Sequence, residues 1–377
     1  MFGRGIRLFK LFGFTVEIDV SWLIIAVLVT WSLATGYFPR FHENLSTTSY
    51  WWMGVFGALG LFASIVFHEF SHSLVARQYG LEMSGIRLFI FGGVAQMDEE
   101  PDTPVAEFMM AIAGPIASVL VSGAALGLST VGTNLGWATP VTAVLAFIAW
   151  INGVLVVFNL IPAFPLDGGR ILRAILWKLK DNLRWATRIA THAGSAFALF
   201  LVFMGVMNLV ATENYIAGMW WILLGLFLRA ASESSYQQVL VRRVLSGAQV
   251  KEMMRTDAQT VPPSISIEDL VENYVYRYHF KMFPVIDEDG RLVGCITTRQ
   301  VKEVPREQWG ERTVGELAEQ CTTENSVSPE TDAMEAFQKM SGDGQSRLLV
   351  VEGDQLRGVI ALKDISGLIS LKLQLEE

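Results

Sequence analysis

The chain has 377 residues, of which 51% are hydrophobic and 18% are charged, and its mean hydropathy is +0.38. The charged residues are concentrated after residue 228, so the composition predicts an apolar membrane part followed by a soluble part. The formal net charge of −8 at pH 7 has no basic face to offset it, which argues against a nucleic acid as partner.

Six apolar segments are predicted to span a membrane. Several reach the roughly 20 residues that a bilayer core requires, and the last one is short. Lysine and arginine are enriched on one side of these segments, with Arg40 on the other, so the positive-inside rule places both termini in the cytoplasm. The predicted spans are about 18–38, 51–76, 107–131, 139–161, 190–211 and 215–230.

The second apolar segment contains the sequence His68-Glu69-Phe70-Ser71-His72. On a helix this spacing puts two imidazoles on one face, where they can bind one zinc ion, and it places the glutamate as a general base. Ionisable groups inside a membrane-length segment are costly, so a functional role is expected. The alternative is a chance motif whose histidines cap or bridge neighbouring helices.

The segment 84–97 follows, and it alternates, is rich in β-branched and aromatic residues, and has Gly92-Gly93 at its centre. This pattern predicts a β-hairpin with a glycine turn that is too short to span a membrane as a helix. The hairpin could dip into the membrane and hold an unwound substrate by strand addition. The alternative is a surface hairpin that only links two spans.

A second motif, from Asn159 to Arg170, reads NLIPAFPLDGGR and ends the fourth span. Its two prolines predict unwound backbone of the kind that lines a cavity at membrane depth. Asp167 could complete a His-His-Asp ligand set, although it could instead cap a helix. Asn159 could donate a hydrogen bond to a developing oxyanion, or it could bridge two helices.

HEFSH followed by NLIPAFPLDGGR resembles the site-2 protease family of intramembrane zinc metalloproteases, over roughly the first 230 residues. The resemblance implies that His68, His72 and Asp167 bind one catalytic zinc ion. It also implies that Glu69 is the general base and that Asn159 assists at the scissile carbonyl.

A helical linker over 229–248 is predicted before two similar segments, 261–300 and 327–364. Each segment has the pattern strand, helix, strand, turn, strand, helix. The two segments resemble tandem cystathionine-β-synthase-type (CBS) repeats, which pair into one module. Cys295 and Cys321 both fall in this soluble part, which fits a reducing cytosol.

CBS repeats often bind adenine nucleotides through a G-x-x-[ST]-x-x-D pattern, which is incomplete in both copies here. The first copy keeps Thr297 but has Gln300 in place of the acid, and the second keeps Asp364 but has Ala361 in place of the hydroxyl. The resemblance implies that Thr297 could contact a phosphate and Asp364 a ribose of ATP, ADP or AMP. The alternative is a module that serves only for homodimerisation.

The expected fold is a polytopic α-helical membrane protein with six transmembrane helices and a small membrane-associated β-hairpin, plus a cytosolic α/β tandem CBS module. The expected domains are a protease domain at 1–228, the linker at 229–248 and the CBS pair at 249–377, with repeats at about 249–305 and 312–372.

The expected function is cleavage of a membrane-protein substrate in or near its transmembrane segment, in an archaeal or bacterial cell membrane, with the CBS pair as regulator. A CBS-regulated metal transporter or channel is the alternative. Transport needs sequential weak sites and inverted repeats. The two halves of the sequence show no such symmetry, and a transport mechanism gives Glu69 no role.

Overall fold

A computed structural model describes residues 6–375 except 12, 82, 90–91, 98–100, 212–214, 246, 321, 323–324 and 343–344. Cys321 therefore lies outside the described residues. The chain forms two compact units, Met1–Gln237 and Gln238–Glu377.

The first unit is mainly helical. Five of its helical segments are long and apolar enough to cross a membrane: Val20–Phe41, Thr47–Gln78, Pro104–Asn134, Thr139–Asn159 and Leu183–Ala211. They correspond to the first five predicted spans. The segment predicted as a sixth span, 215–230, opens a longer helix that is not among these five. The helices are α1 (Val20–Ser32), α2 (Phe38–Phe41), α3 (Thr47–Gln78), α4 (Pro104–Asn134), α5 (Thr139–Asn159), α6 (Asp167–Lys180), α7 (Leu183–Ala211) and α8 (Tyr215–Leu245).

A four-stranded sheet accompanies these helices, in the order β1 (Ile6–Leu11), β2 (Phe14–Ile18), β3 (Met83–Phe89) and β4 (Gly92–Met97). β1 pairs with β2 and β3 pairs with β4 in antiparallel fashion, whereas β2 and β3 are parallel. Gly92 and Gly93 open β4 rather than forming the turn, and residues 90–91 between the strands lie outside the described part of the chain.

The sheet packs against α3 through apolar side chains. β2 alternates between buried and half-buried residues, as a strand with one face on a core does. The cluster between sheet and helix includes Phe70, which belongs to the HEFSH sequence. Its buried members are Phe14, Ile18, Phe70, Ile86 and Leu88. This packing brings the sheet beside the histidine motif.

A buried hydrogen bond joins α3 to α5. Asn152 Nδ2 donates to Ser64 Oγ at 2.9 Å, and the Ser64 hydroxyl donates to the Gly60 carbonyl at 2.8 Å. Polar side chains commonly join helices in this way inside membranes. Ser64 lies one turn before His68, so the bond fixes α5 against the part of α3 that carries the motif.

The second unit contains two similar layers of strand and helix, each with its own hydrophobic core. β5 (Met282–Ile286) and β6 (Leu292–Thr297) are antiparallel, β7 (Ser326–Val327) and β8 (Arg347–Glu352) are parallel, and β8 and β9 (Gln355–Ala361) are antiparallel. The turns in the two hairpins use Gly290 and Gly353 with positive φ, which glycine adopts without steric strain. The elements are α9 (Ile267–Asp269), α10 (Tyr276–Tyr278), β5 (Met282–Ile286), β6 (Leu292–Thr297), α11 (Thr298–Glu303), α12 (Val314–Leu317), β7 (Ser326–Val327), α13 (Ala333–Gly342), β8 (Arg347–Glu352), β9 (Gln355–Ala361) and α14 (Leu362–Leu375).

Candidate metal centre

His68 and His72 lie side by side on one face of α3. Their ring centroids are 4.8 Å apart, and the two residues are only 5% and 8% exposed. α3 is a 32-residue helix that begins after Ser46, whose side chain accepts a hydrogen bond from the Ser49 amide. Residues four apart on a continuous helix share a face, so the helix itself brings the two imidazoles together.

Asp167 approaches the two imidazoles from another helix, as the first residue of α6. Its Oδ2 lies 3.0 Å from His68 Nε2, and its Oδ1 lies 3.3 Å from His72 Nε2. One donor atom from each of the three residues lies within 4.8 Å of the other two. A carboxylate in the first turn of a helix is also favoured by the helix dipole.

The loop between α5 and α6 folds back onto the start of α6. A Cβ atom at Gly168 would overlap the carbonyl oxygens of Leu160 and Ile161, and one at Gly169 would overlap the backbone of Phe164. Glycine is the residue that permits such a close approach of two backbone segments. The Gly-Gly pair therefore sets where the first turn of α6, and with it Asp167, can lie.

Both histidines are oriented by groups on α4. His72 Nδ1 donates to the Met110 carbonyl oxygen at 2.7 Å, and His68 Nδ1 lies 2.9 Å from Ser118 Oγ. Because a carbonyl oxygen can only accept, Nδ1 of His72 carries the proton and Nε2 keeps a lone pair. This Nε2 is buried and has no hydrogen-bond partner in the described part of the chain. In the neutral ring this lone pair faces the Asp167 carboxylate 3.3 Å away, and either a metal cation bound to both groups or a second proton on the ring would satisfy the contact.

The residues fit a zinc ion. Two imidazole nitrogens and one carboxylate match catalytic zinc sites, which take three protein ligands and leave one position open. Gly114 on α4 provides the space, because a Cβ atom there would overlap Nε2 of both His68 and His72. The assignment of these three residues as zinc ligands stays a prediction.

Two further residues, Glu69 and Asn159, are predicted to take part in catalysis. Glu69 is half-buried, and β4 passes beside it so closely that a Cβ atom at Gly93 would lie 2.9 Å from Glu69 Cγ. Asn159 is the last residue of α5 and is half-buried. Neither side chain makes a hydrogen bond with the described residues, so both remain available to a substrate. Their catalytic roles stay predictions.

The predicted nucleotide contacts are engaged in local interactions. Thr297 caps α11, and its hydroxyl donates to the Gln300 side chain at 2.7 Å. Asp364 lies in the first turn of α14 and accepts hydrogen bonds from Arg255 Nε at 3.0 Å and from its terminal nitrogen at 2.9 Å. Both hydrogen bonds to Asp364 reach the same oxygen, Oδ1, so a nucleotide would compete with Arg255 only at that oxygen.

Sequence reasoning missed the contribution of α4. Met110, Gly114 and Ser118 are spaced four residues apart and present one face of α4 to the two histidines. The available signal was the small residue Gly114 in the Ala-Gly-Pro run, which indicates only that another group packs closely there.

Family models match both parts of the chain. The model of peptidase family M50 matches residues 56–138 and 134–204, and the CBS domain model matches residues 250–307 and 314–371.

Relatives match over nearly the whole length. Rip3 of Mycobacterium tuberculosis, named as a zinc metalloprotease, is 33% identical over 374 residues, which cover 97% of this chain and 93% of that protein. Zinc metalloprotease MJ0392 of Methanocaldococcus jannaschii is 33% identical over 374 residues, with coverages of 99% and 98%. A solved structure of the site-2 protease from the same archaeon is 30% identical and covers 62% of this chain and 95% of its own, with a TM-score of 0.41. The chain thus belongs to peptidase family M50, the site-2 proteases, and it carries a C-terminal pair of CBS domains.

Proposed function

We propose that this chain is an intramembrane zinc metalloprotease that cleaves a peptide bond in or near a transmembrane segment of a membrane-protein substrate. The observation that carries the proposal is the group of three donor residues, His68, His72 and Asp167. The two histidines and Glu69 lie on α3, a helix long and apolar enough to cross a membrane, and Asp167 comes from α6. Buried ionisable residues at such a position are retained for function, because they are costly to keep in an apolar surrounding.

The proposed chemistry assigns one role to each side chain. His68, His72 and Asp167 would hold the zinc ion, which supplies a Lewis acid at the scissile carbonyl. Glu69 takes a proton from the attacking water while the water oxygen bonds to the carbonyl carbon, and it returns the proton to the leaving amide nitrogen as the C–N bond breaks. Asn159 donates a hydrogen bond to the carbonyl oxygen while negative charge develops there.

The strand β4 is our candidate for holding the substrate. A transmembrane helix hides its peptide bonds in internal hydrogen bonds, so it must be unwound before cleavage. β4 forms an outer strand of the sheet in the described part of the chain, and Gly93 brings it against Glu69. A substrate segment added as a further strand would lie extended beside the general base. The hairpin of β3 and β4 would then be partly immersed in the membrane.

We further propose that the start of α8, about 215–230, forms a sixth span. Five spans put the two ends of the chain on opposite sides of a membrane, whereas a sixth brings both ends to one side. The basic residues before α1 and after residue 228 support the six-span arrangement, with both termini and the CBS pair in the cytoplasm of an archaeal or bacterial cell. His72 would then lie about 9 Å, or six residues of helical rise, from the cytoplasmic end of α3.

The CBS pair is proposed as the regulatory module, with ATP, ADP or AMP as candidate ligands and a second copy of the chain as candidate partner. α8 supports a regulatory role because it belongs to both units. Its Ser232 hydroxyl donates to the Phe164 carbonyl, in the loop that leads to Asp167. Its last residues, Val244 and Leu245, are buried in the hydrophobic core of the second repeat.

A metal transporter or channel is the second candidate function. Transport needs several weak sites in sequence. One group of three potential metal ligands is found among the described residues, and Glu69 beside it has a role only in hydrolysis. These observations favour the protease.

Reconstituted protein can test the proposed function. The chain is incorporated into lipid vesicles together with a panel of single-span membrane proteins from the cell membrane of its own organism. New chain termini are then identified by mass spectrometry. We expect cleavage that a zinc chelator abolishes and added zinc restores. Cleavage that continues unchanged after zinc has been removed would contradict the proposal.

A further inference from the structure

A buried ion pair joins α4 to α6. Arg173 Nε and a terminal guanidinium nitrogen both lie 2.5 Å from Glu107 Oε1. The side chains of Arg173 and Glu107 are only 4% and 0% exposed. Burying two charges can cost more in desolvation than their attraction returns, so a buried pair is weak evidence for stability alone. It is better explained by a requirement for a fixed geometry.

The helices that the pair joins are those that build the candidate metal centre. Glu107 lies one turn before Met110, whose carbonyl oxygen accepts the hydrogen bond from His72. Arg173 lies less than two turns after Asp167 on α6. The pair therefore connects the helix that orients His72 to the helix that carries Asp167.

Arg173 also holds the loop that precedes Asp167. Its guanidinium lies over the Phe164 ring, 5.0 Å from the ring centroid. The backbone of Phe164 is fixed on both sides, since its amide donates to the Ala190 carbonyl at 3.4 Å and its carbonyl accepts from Ser232. Arg173 thus contacts both Glu107 on α4 and Phe164, which lies in the loop three residues before Asp167.

We infer that Glu107 and Arg173 are positioning residues that set the distance of the Asp167 carboxylate from the two imidazoles and thereby set the zinc affinity. This inference rests on the proposed role of Asp167 as a zinc ligand. Both residues act through Met110, Phe164 and the helix backbones. The competing explanation is that the pair only stabilises the fold.

Charge-neutral variants separate the two explanations. Glu107→Gln and Arg173→Met each remove one charge of the buried pair, so both should lower thermal stability and zinc affinity. The double variant Glu107→Gln/Arg173→Met removes both charges, and replacing a whole buried pair often restores stability. If the pair positions Asp167, the double variant regains stability but still binds zinc about 10-fold or more weakly, as loss of groups that orient ligands typically does.

The experiment uses the full chain in detergent or lipid vesicles. Zinc affinity is measured by competition with a chelator, and the absorption spectrum of the cobalt-substituted protein reports the ligand geometry independently of activity. Arg173→Lys, which keeps the charge, should lose less affinity than Arg173→Met. Ser129→Ala is the control, because Ser129 lies on α4 eleven residues beyond Ser118, and the substitution removes a partly buried hydrogen bond to the Thr142 carbonyl on α5. It should leave zinc affinity and the cobalt spectrum unchanged.

Two results would overturn the inference. One is a double variant whose zinc affinity and cobalt spectrum return to wild type together with its stability. The other is Glu107→Gln with unchanged zinc affinity. Asp167→Ala, measured in parallel, distinguishes this failure from failure of the proposed ligand set. If Asp167→Ala also retains zinc, the ligand assignment is wrong. If Asp167→Ala loses zinc while the Glu107 and Arg173 variants keep it, only the positioning role is rejected.

Discussion

Gly114 lies so close to His72 that a single added carbon atom at Gly114 would occupy the space of the imidazole Nε2. Gly114→Ala should therefore displace an imidazole from the centre without removing any donor group. We expect a zinc affinity and a cleavage rate that are each lower by about 10-fold or more, because the metal geometry depends on the groups that orient the ligands. Overpacking of this kind also costs about 1–3 kcal/mol of stability.

The same helix supplies a matched control for this substitution. Gly123 is also in α4, and a Cβ atom there would meet no atom of the described chain within 4 Å. Gly123→Ala makes the same chemical change and should leave zinc binding and cleavage as in the wild type. Equal zinc affinities for the two alanine variants, measured by chelator competition, would show that Gly114 does not shape the metal centre.

Glu69→Gln tests the general base. Glutamine keeps the size and shape of the side chain but cannot take up the proton, and all three proposed zinc ligands remain. Cleavage should fall at least about 100-fold, the lower end of what a general base contributes, while zinc content stays unchanged. Metal analysis and a cleavage assay on the same preparation check both parts. Proteolysis at the wild-type rate would remove Glu69 from the mechanism.

Asp167→Ala should have a different signature, because it deletes a direct ligand. The loss of zinc affinity should exceed the roughly 10- to 100-fold that follows when only an orienting group is removed. Asp167→Asn, which keeps the shape, should also bind zinc more weakly because the amide oxygen carries no full charge. Full zinc retention by both variants would mean that Asp167 does not bind the metal.

Local sequence patterns indicated all three proposed ligands, although Asp167 lies 99 residues from His68 along the chain, and their roles stay predictions. His68 and His72 follow from helical spacing, and Asp167 follows from the local break between two apolar segments. The contribution of α4 could not be predicted, since Met110 presents a backbone carbonyl that any residue type could supply. Which helix approaches the histidines is decided by tertiary packing and not by local pattern.

The sheet shows a second limit of sequence reasoning. The hairpin of β3 and β4 was expected from its alternation and its glycines. β1 and β2 were missed, although residues Phe14–Ile18 alternate, because five residues beside a long apolar run give a weak signal for a strand. The parallel pairing of β2 with β3 joins segments about seventy residues apart, as in Val16 with Ile86, and no local pattern contains that information.

The number of spans predicts the side on which the chain ends. If α8 begins with a sixth span, residue 377 lies in the cytoplasm. A reporter that works only in the cytoplasm should then be active when it is fused after residue 377. A reporter inserted between α4 and α5, near Gly136, should report the opposite side, since an odd number of spans precedes it. Both fusions are compared in the same cells with a phosphatase and a fluorescent reporter. A C-terminal fusion that reports the side opposite to the N-terminus would support five spans.

Nucleotide regulation is tested at Asp364, which the Arg255 guanidinium holds in a charged pair. If Asp364 binds the ribose of ATP, ADP or AMP, Asp364→Ala should weaken nucleotide binding by roughly 10-fold or more, as loss of a hydrogen bond to a charged group does. The nucleotide concentration that gives half of any effect on cleavage should rise by the same factor, because a ligand shifts the enzyme only through its binding. Calorimetry on the full chain gives the first quantity, and a cleavage titration gives the second.

Glu352→Gln is the control, since it breaks an exposed pair with Arg357 in the same repeat and should change neither nucleotide binding nor the cleavage response. No heat at millimolar nucleotide would identify the CBS pair as an assembly module, and the replacements at Gln300 and Ala361 would then explain the lost site.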